Sequence, residues 1–241
     1  MPNESAINFK PKRWHQKWWG VFFLVIMALV LSYGAALLFE VVKMIEAYQQ
    51  QLPTSGDMAV SQNNEIRKVA ETSDDPYWGP ANADIVIVEF SDFQCPYCAQ
   101  EFSNLKKIRQ EYQSKVKIIY RDMPNIVDHD QALGAAMAAE CADEQGKFWP
   151  YHDLLFANQA NLSDENFKLW AGQIKLKQEQ FDNCLDSQKY KNEVLNDLAE
   201  GLKLNITGTP TFFVNGNMAA GVITYEQFKE LLDKALEIQK K

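Results

Sequence analysis

The 241-residue sequence has few of the side chains that build structural metal sites, with four cysteines and three histidines. A structural zinc site needs four ligands, usually two close cysteine pairs or one such pair with two closely spaced histidines. Only Cys95 and Cys98 form a close pair, whereas Cys141 and Cys184 stand alone and no two histidines are near each other. The sequence therefore argues against a zinc site, and we predict no metal and no cofactor.

The sequence also lacks a basic patch. Its formal net charge is −8, and residues 1–18 carry a net charge of +3, which leaves −11 for the remainder. Proteins that bind nucleic acids usually present a basic patch or stripe to the phosphates. We therefore predict no nucleic-acid partner.

Charge of either sign is missing from Trp18 to Phe39. A helix of these residues would be about 33 Å long, which is enough to cross a hydrocarbon core of about 30 Å. A cleavable signal peptide is the alternative, but its apolar region normally has only about 7–15 residues and ends at small residues. We predict an uncleaved transmembrane anchor at residues 18–39.

The charges that flank this segment predict its orientation. Four basic residues precede it, whereas the residues that follow it have mixed charge. The basic residues are Lys10, Lys12, Arg13 and Lys17, and the charged residues on the other side are Glu40, Lys43 and Glu46. Because basic residues stay on the cytoplasmic side, we predict a single-pass protein of the cell (inner) membrane with residues 1–17 in the cytoplasm. The rest of the chain would be periplasmic or otherwise extracytoplasmic.

The exported part begins with a polar, irregular segment, residues 40–75, which we predict to be a linker. The globular domain, residues 76–241, opens with a strand at 85–90, a helix after Cys98 and a strand at 116–120. A helical region of about 128–204 follows, and then come strands at 211–214 and 218–220 and a final helix from Thr224. This β-α-β, helices, β-β-α order is that of an α/β thioredoxin fold with an inserted helical domain.

Cys95 and Cys98 lie between a buried strand and the helix that follows it. Cys95 would be the N-cap and Pro96 the first helical residue. The helix dipole and unpaired backbone N–H groups would then stabilise a Cys95 thiolate, and Cys98 would lie one turn deeper. The alternative is an inert disulfide, but so short a loop adds little stability. We predict a redox-active pair.

Two further features are predicted to complete the site. Thr209 and Pro210 precede a strand, and a cis bond between them would present an open strand edge to a substrate, whereas a trans proline opening a strand is the alternative. Glu89 is a lone acid in an apolar strand, six residues before Cys95. It is either a buried carboxyl with a raised pKa that relays the proton of the second thiol, or an edge residue that faces solvent.

The sequence resembles DsbA-like thioredoxin-fold thiol:disulfide interchange proteins, including the membrane-anchored BdbD-type members. The resemblance covers residues 76–241. It rests on VEFSDFQCPYC (88–98), YRDMP (120–124), GKFWPYHDLLF (146–156) and GTPTFFVNG (208–216). It implies that Cys95 is the nucleophile, that Cys98 is the resolving cysteine and that Glu89 is the buried acid. It also implies a cis-proline loop at Thr209 and Pro210.

One residue departs from the pattern of strongly oxidising members of this family. Many of them have Pro-His between the cysteines, whereas this chain has Pro96 and Tyr97. Tyr97 cannot lend a positive charge to the Cys95 thiolate, so we expect weaker thiolate stabilisation and a less oxidising pair. Pro96, Tyr97, Thr209 and Pro210 are the residues that we expect to contact the substrate.

Cys141 and Cys184 lie in the helical insertion, each on an apolar helical face. They are either buried free thiols or a structural disulfide. In an oxidising compartment they would pair if their Cα atoms came within about 7 Å of each other.

The function that these features predict is a membrane-tethered thiol:disulfide oxidoreductase that introduces disulfides into exported proteins carrying cysteine thiols. A quinone-linked, DsbB-like membrane protein would reoxidise the pair. The first alternative is an isomerase or reductase of the same fold, kept reduced by a membrane reductant. The second is a delivery module that holds copper(I) on the two thiolates, although no methionine or histidine motif lies near them.

Overall fold

The computed structural model describes residues 18–51, 66–72 and 75–239. The chain divides into two compact units, Met1–Met58 and Ala59–Lys241, and each is described by itself. The predicted cytoplasmic segment, 1–17, lies outside the described residues, as does the middle of the predicted linker.

In the first unit, the described residues form one helix, α1 (Trp18–Gln51). Among the described residues, it alone is long and apolar enough to cross a membrane, over Trp18–Met44, and the side chains of its most apolar part are not buried within the chain. The helix runs past Phe39, where the anchor was predicted to end, because no proline or glycine occurs between Glu40 and Gln51 to stop it. The membrane anchor itself remains a prediction.

The second unit is built on a five-stranded sheet. Its strands in the described residues are β1 (Tyr77–Trp78), β2 (Ile85–Ser91), β3 (Val116–Asp122), β4 (Thr211–Val214) and β5 (Asn217–Ala220). The strand order is β1-β3-β2-β4-β5, with β2 and β3 parallel and the other pairs antiparallel. The β-branched run of β2 is therefore central, as expected of a strand that is buried on both faces.

Seven helices of nine or more residues lie between or after the strands in the described part of this unit. They are α2 (Pro96–Glu111), α3 (Ala132–Asp143), α4 (Phe148–Ala157), α5 (Asp164–Gln173), α6 (Gln178–Asp186), α7 (Lys191–Lys203) and α8 (Tyr225–Gln239), with a 3₁₀ turn at Gln159–Asn161. Helices α2 and α8 cover one face of the sheet, where Ile87, Leu105 and Phe228 share one apolar cluster. On the other face, Val88 and Phe90 pack in a second cluster that includes residues around α7.

Helices α3 to α7 form the insertion, which occupies Ala132–Lys203 against the predicted 128–204. Its core includes Tyr151, Phe167 and Phe181 and is continuous with the side chains around Cys95. The predicted element order is therefore found. The sequence analysis missed β1, because two residues are too few to produce a strand periodicity.

The predicted linker also differs from the structure near its end. Residues 66–70 are helical, and Ala70 is fully buried in the same cluster as Val88 and Phe90. Arg121 of β3, which is 1% exposed, donates a hydrogen bond to the Val69 carbonyl (2.9 Å). This segment is thus part of the folded unit rather than a free spacer.

The same arginine forms ion pairs with three carboxylates from distant parts of the chain. Arg121 Nε lies 3.0 Å from Asp75, and its Nη2 lies 2.7 Å from Asp197 and 2.5 Å from Glu200 on α7. Asp197 also accepts the backbone N–H of Asp122 (2.9 Å). A buried charge of this kind is tolerated only with such partners, so Arg121 joins β3, α7 and the segment that precedes β1.

Candidate active site

The carboxyl end of β2 leads through a short turn to the start of α2, where the cysteine pair lies. Cys95 has extended backbone angles at the N-cap position, and Pro96 is the first helical residue. Both thiols are free, Cys95 is 6% exposed and Cys98 is fully buried. A client can therefore reach Cys95 but not Cys98, as an attacking and a resolving cysteine require.

The two thiols have opposite electrostatic environments. The hydrogen bond from the Cys98 thiol lowers the pKa of Cys95 to about 5, aided by Thr209 and by the backbone N–H groups of Cys98 and Tyr97 and opposed by partial burial. Burial raises the pKa of Cys98 well above its usual value, and the neighbouring Cys95 raises it further. At neutral pH, the reduced pair is therefore a Cys95 thiolate beside a Cys98 thiol.

The loop before β4 lies next to Cys95. The peptide bond between Thr209 and Pro210 is cis, and Cys95 Sγ lies 3.4 Å from the Thr209 carbonyl oxygen. Thr211 Oγ1 donates a hydrogen bond to the Gly208 carbonyl (2.7 Å), and Gly221 N–H donates one to the Pro210 carbonyl (2.8 Å). The backbone of this loop is thus fixed beside the sulfur.

A groove of about 860 Å³ begins at Cys95 and Thr209. Its lining includes Ile126 and Val127, which are 50% and 87% exposed, and Leu202 of α7. Tyr97 also lines the groove. The sequence analysis missed Ile126 and Val127, although two apolar residues in a turn after the YRDMP motif were a visible signal. Exposed apolar side chains around a reactive thiol suit an unfolded client segment.

Glu89 lies in the central strand and is 1% exposed. It shares a face with Ile85 and Ile87, toward α2, because alternate residues of a strand point the same way. Burial raises the pKa of Glu89 to about 8; Glu101 raises it further, while Ser91 and Arg109 lower it. The solvent-facing alternative was wrong, since β2 is flanked by β3 and β4. A role for Glu89 in proton transfer remains a prediction.

A second buried acid, Glu101 of α2, was missed by the sequence analysis. It is fully buried and accepts the backbone N–H of Ile223 (3.0 Å). Burial raises the pKa of Glu101 to about 7. The signal was present in the sequence, because Glu101 lies between Cys98 and Leu105 at the spacing of the buried face of α2.

Cys141 of α3 and Cys184 of α6 form a disulfide, with their Cα atoms 5.9 Å apart. Both residues are buried in the core of the insertion. The structure thus has two cysteine pairs in different forms, a free pair at the head of α2 and a closed pair between α3 and α6.

Comparison with known proteins identifies the fold and family. A family model described as thioredoxin matches residues 71–234, which is more than half of the chain. The chain belongs to the thioredoxin family. Its element order and inserted helices make it a DsbA-like member, as the resemblance predicted, and dithiol/disulfide exchange is the activity that family, fold and cysteine pair support together.

Solved structures of the same fold agree with this assignment. The thiol-disulfide exchange protein α-DsbA2 from Wolbachia pipientis has a TM-score of 0.66 and 20% identity, over 76% of this chain and 99% of that one. BdbD from Bacillus subtilis, in its oxidised form, has a TM-score of 0.62 and 26% identity, over 68% of this chain and 93% of that one. The predicted thioredoxin fold with a helical insertion is confirmed.

The chain also matches part of the sequence of several Na(+)/H(+) antiporters. The Na(+)/H(+) antiporter NhaA 3 of Salinispora tropica is 36% identical over 148 residues, which are 61% of this chain and 22% of the antiporter. The antiporter NhaA of Herminiimonas arsenicoxydans is 34% identical over 143 residues, 59% of this chain and 22% of that protein. The chain spans less than a quarter of the length of these relatives, so antiport is not inferred from the match.

Proposed function

We propose that this protein oxidises the thiols of exported proteins to disulfides, with Cys95 and Cys98 as its redox pair. The observation that carries the proposal is the lowered pKa of Cys95, about 5, beside a Cys98 whose pKa is raised. A thiolate that is stable at neutral pH lowers the free energy of the reduced pair. The disulfide form is then the better electron acceptor, which favours oxidation of clients over their reduction.

The magnitude of this effect suggests an intermediate oxidant. The nucleophilic cysteine has a pKa of about 7 in thioredoxin and about 3.5 in DsbA. The pKa of Cys95, about 5, lies between these values. This agrees with a neighbouring Tyr97 that cannot supply a positive charge. We expect the reduction potential of the pair to lie between those of thioredoxin and DsbA, about −270 and about −120 mV.

The reaction would run in two exchange steps. A client thiolate attacks Cys95 Sγ of the Cys95–Cys98 disulfide, a client–Cys95 bond forms, and Cys98 leaves with the electron pair and takes up a proton. A second client thiolate then attacks the client sulfur of the mixed disulfide, and Cys95 leaves as a stable thiolate. Two client thiols are oxidised to one disulfide, and the protein pair is reduced.

Client binding is supported by the groove beside Cys95. Its exposed apolar walls would hold an unfolded segment, which is the form in which unpaired cysteines are accessible. The fixed backbone of Thr209 and Pro210 lies within reach of the client sulfur, since the Thr209 carbonyl is 3.4 Å from Cys95 Sγ. Pro96 and Tyr97 form the other border of the reaction centre.

Helix α1 supports the proposed location and partner of the enzyme. A span over Trp18–Met44 with basic residues before it would hold the second unit outside the cytoplasm. A quinone-linked membrane protein would remove the electrons, because nothing in the described residues offers a second redox centre. A membrane reductant would take its place if the protein served as an isomerase or reductase.

The test is the redox state of Cys95 and Cys98 in cells that make the full chain. Acid quenching followed by alkylation with a mass-shifting maleimide separates the two forms. Wild type treated with reductant marks the band with two modified thiols, and the Cys95→Ser and Cys98→Ser variants mark the band with one. We expect the pair to be mostly oxidised in growing cells and to become reduced when the cells are fed reduced client. A pair that is mostly reduced at steady state would overturn the oxidase direction and favour the isomerase or reductase alternative.

A further inference from the structure

A histidine lies in the groove beside the reactive cysteine. Of the side chains that line the groove within the described residues, only those of Cys95, Tyr97 and His129 carry a titratable proton. Histidine is the side chain that most readily exchanges protons near neutral pH. The groove therefore holds one ordinary acid–base group besides the reactive thiol.

A buried carboxylate fixes the orientation of this histidine. His129 Nδ1 lies 2.7 Å from Asp92 Oδ2, and the Asp92 side chain is fully buried. A carboxylate can only accept hydrogen bonds, so Nδ1 carries a proton, and in the neutral imidazole Nε2 has the free lone pair. Asp92 is itself fixed, because it accepts the backbone N–H groups of Gln94 (2.7 Å) and Asn125 (2.8 Å).

The same contacts fix His129 relative to Cys95. The Asp92 carbonyl accepts the backbone N–H of Cys95 (3.1 Å). The Gln94 side chain accepts the backbone N–H of Gln131 (2.7 Å) and donates to Asp130 (2.9 Å). The turn before Cys95 and the turn that carries His129 are therefore joined by hydrogen bonds on both sides of the histidine.

We propose that His129 is the base that takes the proton of the incoming client thiol, a role that rests on the exchange activity proposed above. The client S–H proton moves to His129 Nε2 while the client sulfur bonds to Cys95 Sγ. The Cys95–Cys98 bond breaks, its electron pair stays on Cys98, and the proton on His129 passes to solvent. In the reverse direction, the protonated histidine returns a proton to the departing client thiolate.

The chemistry of the client explains why such a base is useful and how large its effect can be. A free cysteine thiol with a pKa of about 8.5 is only about 3% thiolate at pH 7, so complete deprotonation could raise the rate by at most about thirtyfold. Above pH 8.5 the client ionises without help, and the advantage disappears.

The test compares wild type and His129→Gln as oxidised full chains in detergent micelles. The second-order rate constant for a reduced two-cysteine peptide is measured by stopped flow from pH 7 to pH 9. We expect His129→Gln to be about five- to twentyfold slower at pH 7 and within about twofold of wild type at pH 9. Free imidazole should raise the rate of His129→Ala at pH 7 but leave wild type unchanged.

Two further variants separate proton transfer from packing and charge. Asp92→Asn should show the same pH-dependent loss, because the histidine loses its orienting acceptor, while Asp128→Asn, which removes a neighbouring exposed charge, should behave as wild type. Equal rates for wild type and His129→Gln at every pH would overturn the proposal, and so would a loss that is constant with pH and not rescued by imidazole.

The same measurement distinguishes this proposal from the proposed function. If wild type does not oxidise the peptide, the oxidase function fails, and the reduced protein is then tested with an oxidised peptide. The pH-dependent loss in His129→Gln must appear in that direction too, because the forward and reverse steps share one transition state. Its absence there would overturn the role of His129 whichever way electrons flow.

Discussion

At the scale of residues, the site separates two thiols that are three positions apart in the sequence. Cys95 meets hydrogen-bond donors at the head of α2, and Cys98 is enclosed by the core. The donors stabilise a thiolate, and the enclosure favours a neutral thiol. Cys95 can therefore act as the attacking thiolate and as the leaving group, while Cys98 stays protonated in the reduced pair.

The buried acid below this pair gives the first prediction. Burial raises the pKa of Glu89 to about 8, while the unfolded chain keeps a value near 4.3. Between these values the folded state holds a proton that the unfolded state has lost, so the free energy of unfolding falls as pH rises. The slope from this group is roughly 1 kcal/mol per pH unit. We expect Glu89→Gln, which has no proton to lose, to gain stability relative to wild type from pH 5 to pH 8.

Guanidinium unfolding of residues 59–241 at several pH values measures this difference. Glu237→Gln, which changes an exposed glutamate near the end of α8, is the matched control and should follow wild type. A constant difference between Glu89→Gln and wild type across this pH range would show that Glu89 does not carry the proton.

The residues that the sequence predicted are those whose role depends on chain neighbours. Cys95 and Pro96 are defined by the helix that starts at them, and Pro210 by the strand that follows it. Glu101 and His129 were missed because their partners lie elsewhere, at Ile223 and Asp92. A local sequence pattern does not predict a hydrogen bond between residues so far apart in the chain. The position of Glu101 on the apolar face of α2 indicated only that it would be buried.

At the scale of elements, neighbouring side chains fix where helices begin, and the final helix starts after Thr224 as predicted. Ser163 accepts the N–H of Asn166 at the start of α5, and Thr224 and Gln227 form the reciprocal pair of a capping box. The segment at 66–70 failed as a predicted linker because its burial depends on Arg121, which is about fifty residues away. Helix capping depends on neighbouring residues and can be predicted from the sequence, whereas the docking of a short segment depends on distant residues.

The disulfide between α3 and α6 gives the second prediction. It closes a loop of 43 residues, and the loss of such a constraint on the unfolded chain costs about 2–4 kcal/mol. We expect Cys141→Ala/Cys184→Ala to unfold at a lower guanidinium concentration, with a free energy of unfolding that is smaller by about 2–4 kcal/mol. Its rate of peptide oxidation at 25 °C should stay close to that of wild type, because neither residue belongs to the Cys95 site.

Reduction of the wild type provides the control for that variant. Mild reductant that opens only Cys95–Cys98 should not lower the unfolding midpoint, because the Cys95 thiolate stabilises the folded reduced form. Further reduction of Cys141–Cys184 should then lower it, as in the double variant. A double variant as stable as wild type would mean that packing of the surrounding side chains, rather than the covalent link, holds α3 and α6 together.

At the scale of the whole molecule, charge is distributed unevenly along the chain. The four basic residues before Trp18 contrast with an acidic remainder of net charge −11. An acidic surface is not attracted to anionic lipid. We therefore expect separate roles for the two parts, with the basic residues orienting the predicted anchor and the acidic part carrying the exchange reaction.

The third prediction concerns that orientation. Basic residues within about 15–20 residues of a span decide which side stays in the cytoplasm. Lys10, Lys12, Arg13 and Lys17 outnumber the single Lys43 that follows the predicted anchor at 18–39. Replacing these four by Gln and Glu40 by Lys reverses the balance. In a substantial fraction of molecules, we expect the Ala59–Lys241 unit to become inaccessible to protease added outside spheroplasts. Oxidation of exported client should fall together with this accessibility. Lys106→Gln/Lys107→Gln changes two exposed lysines of α2 that lie far from the predicted anchor in the sequence, and it should change neither readout. Full external accessibility in the reversed variant would show that the folded unit, rather than the flanking charge, determines the topology.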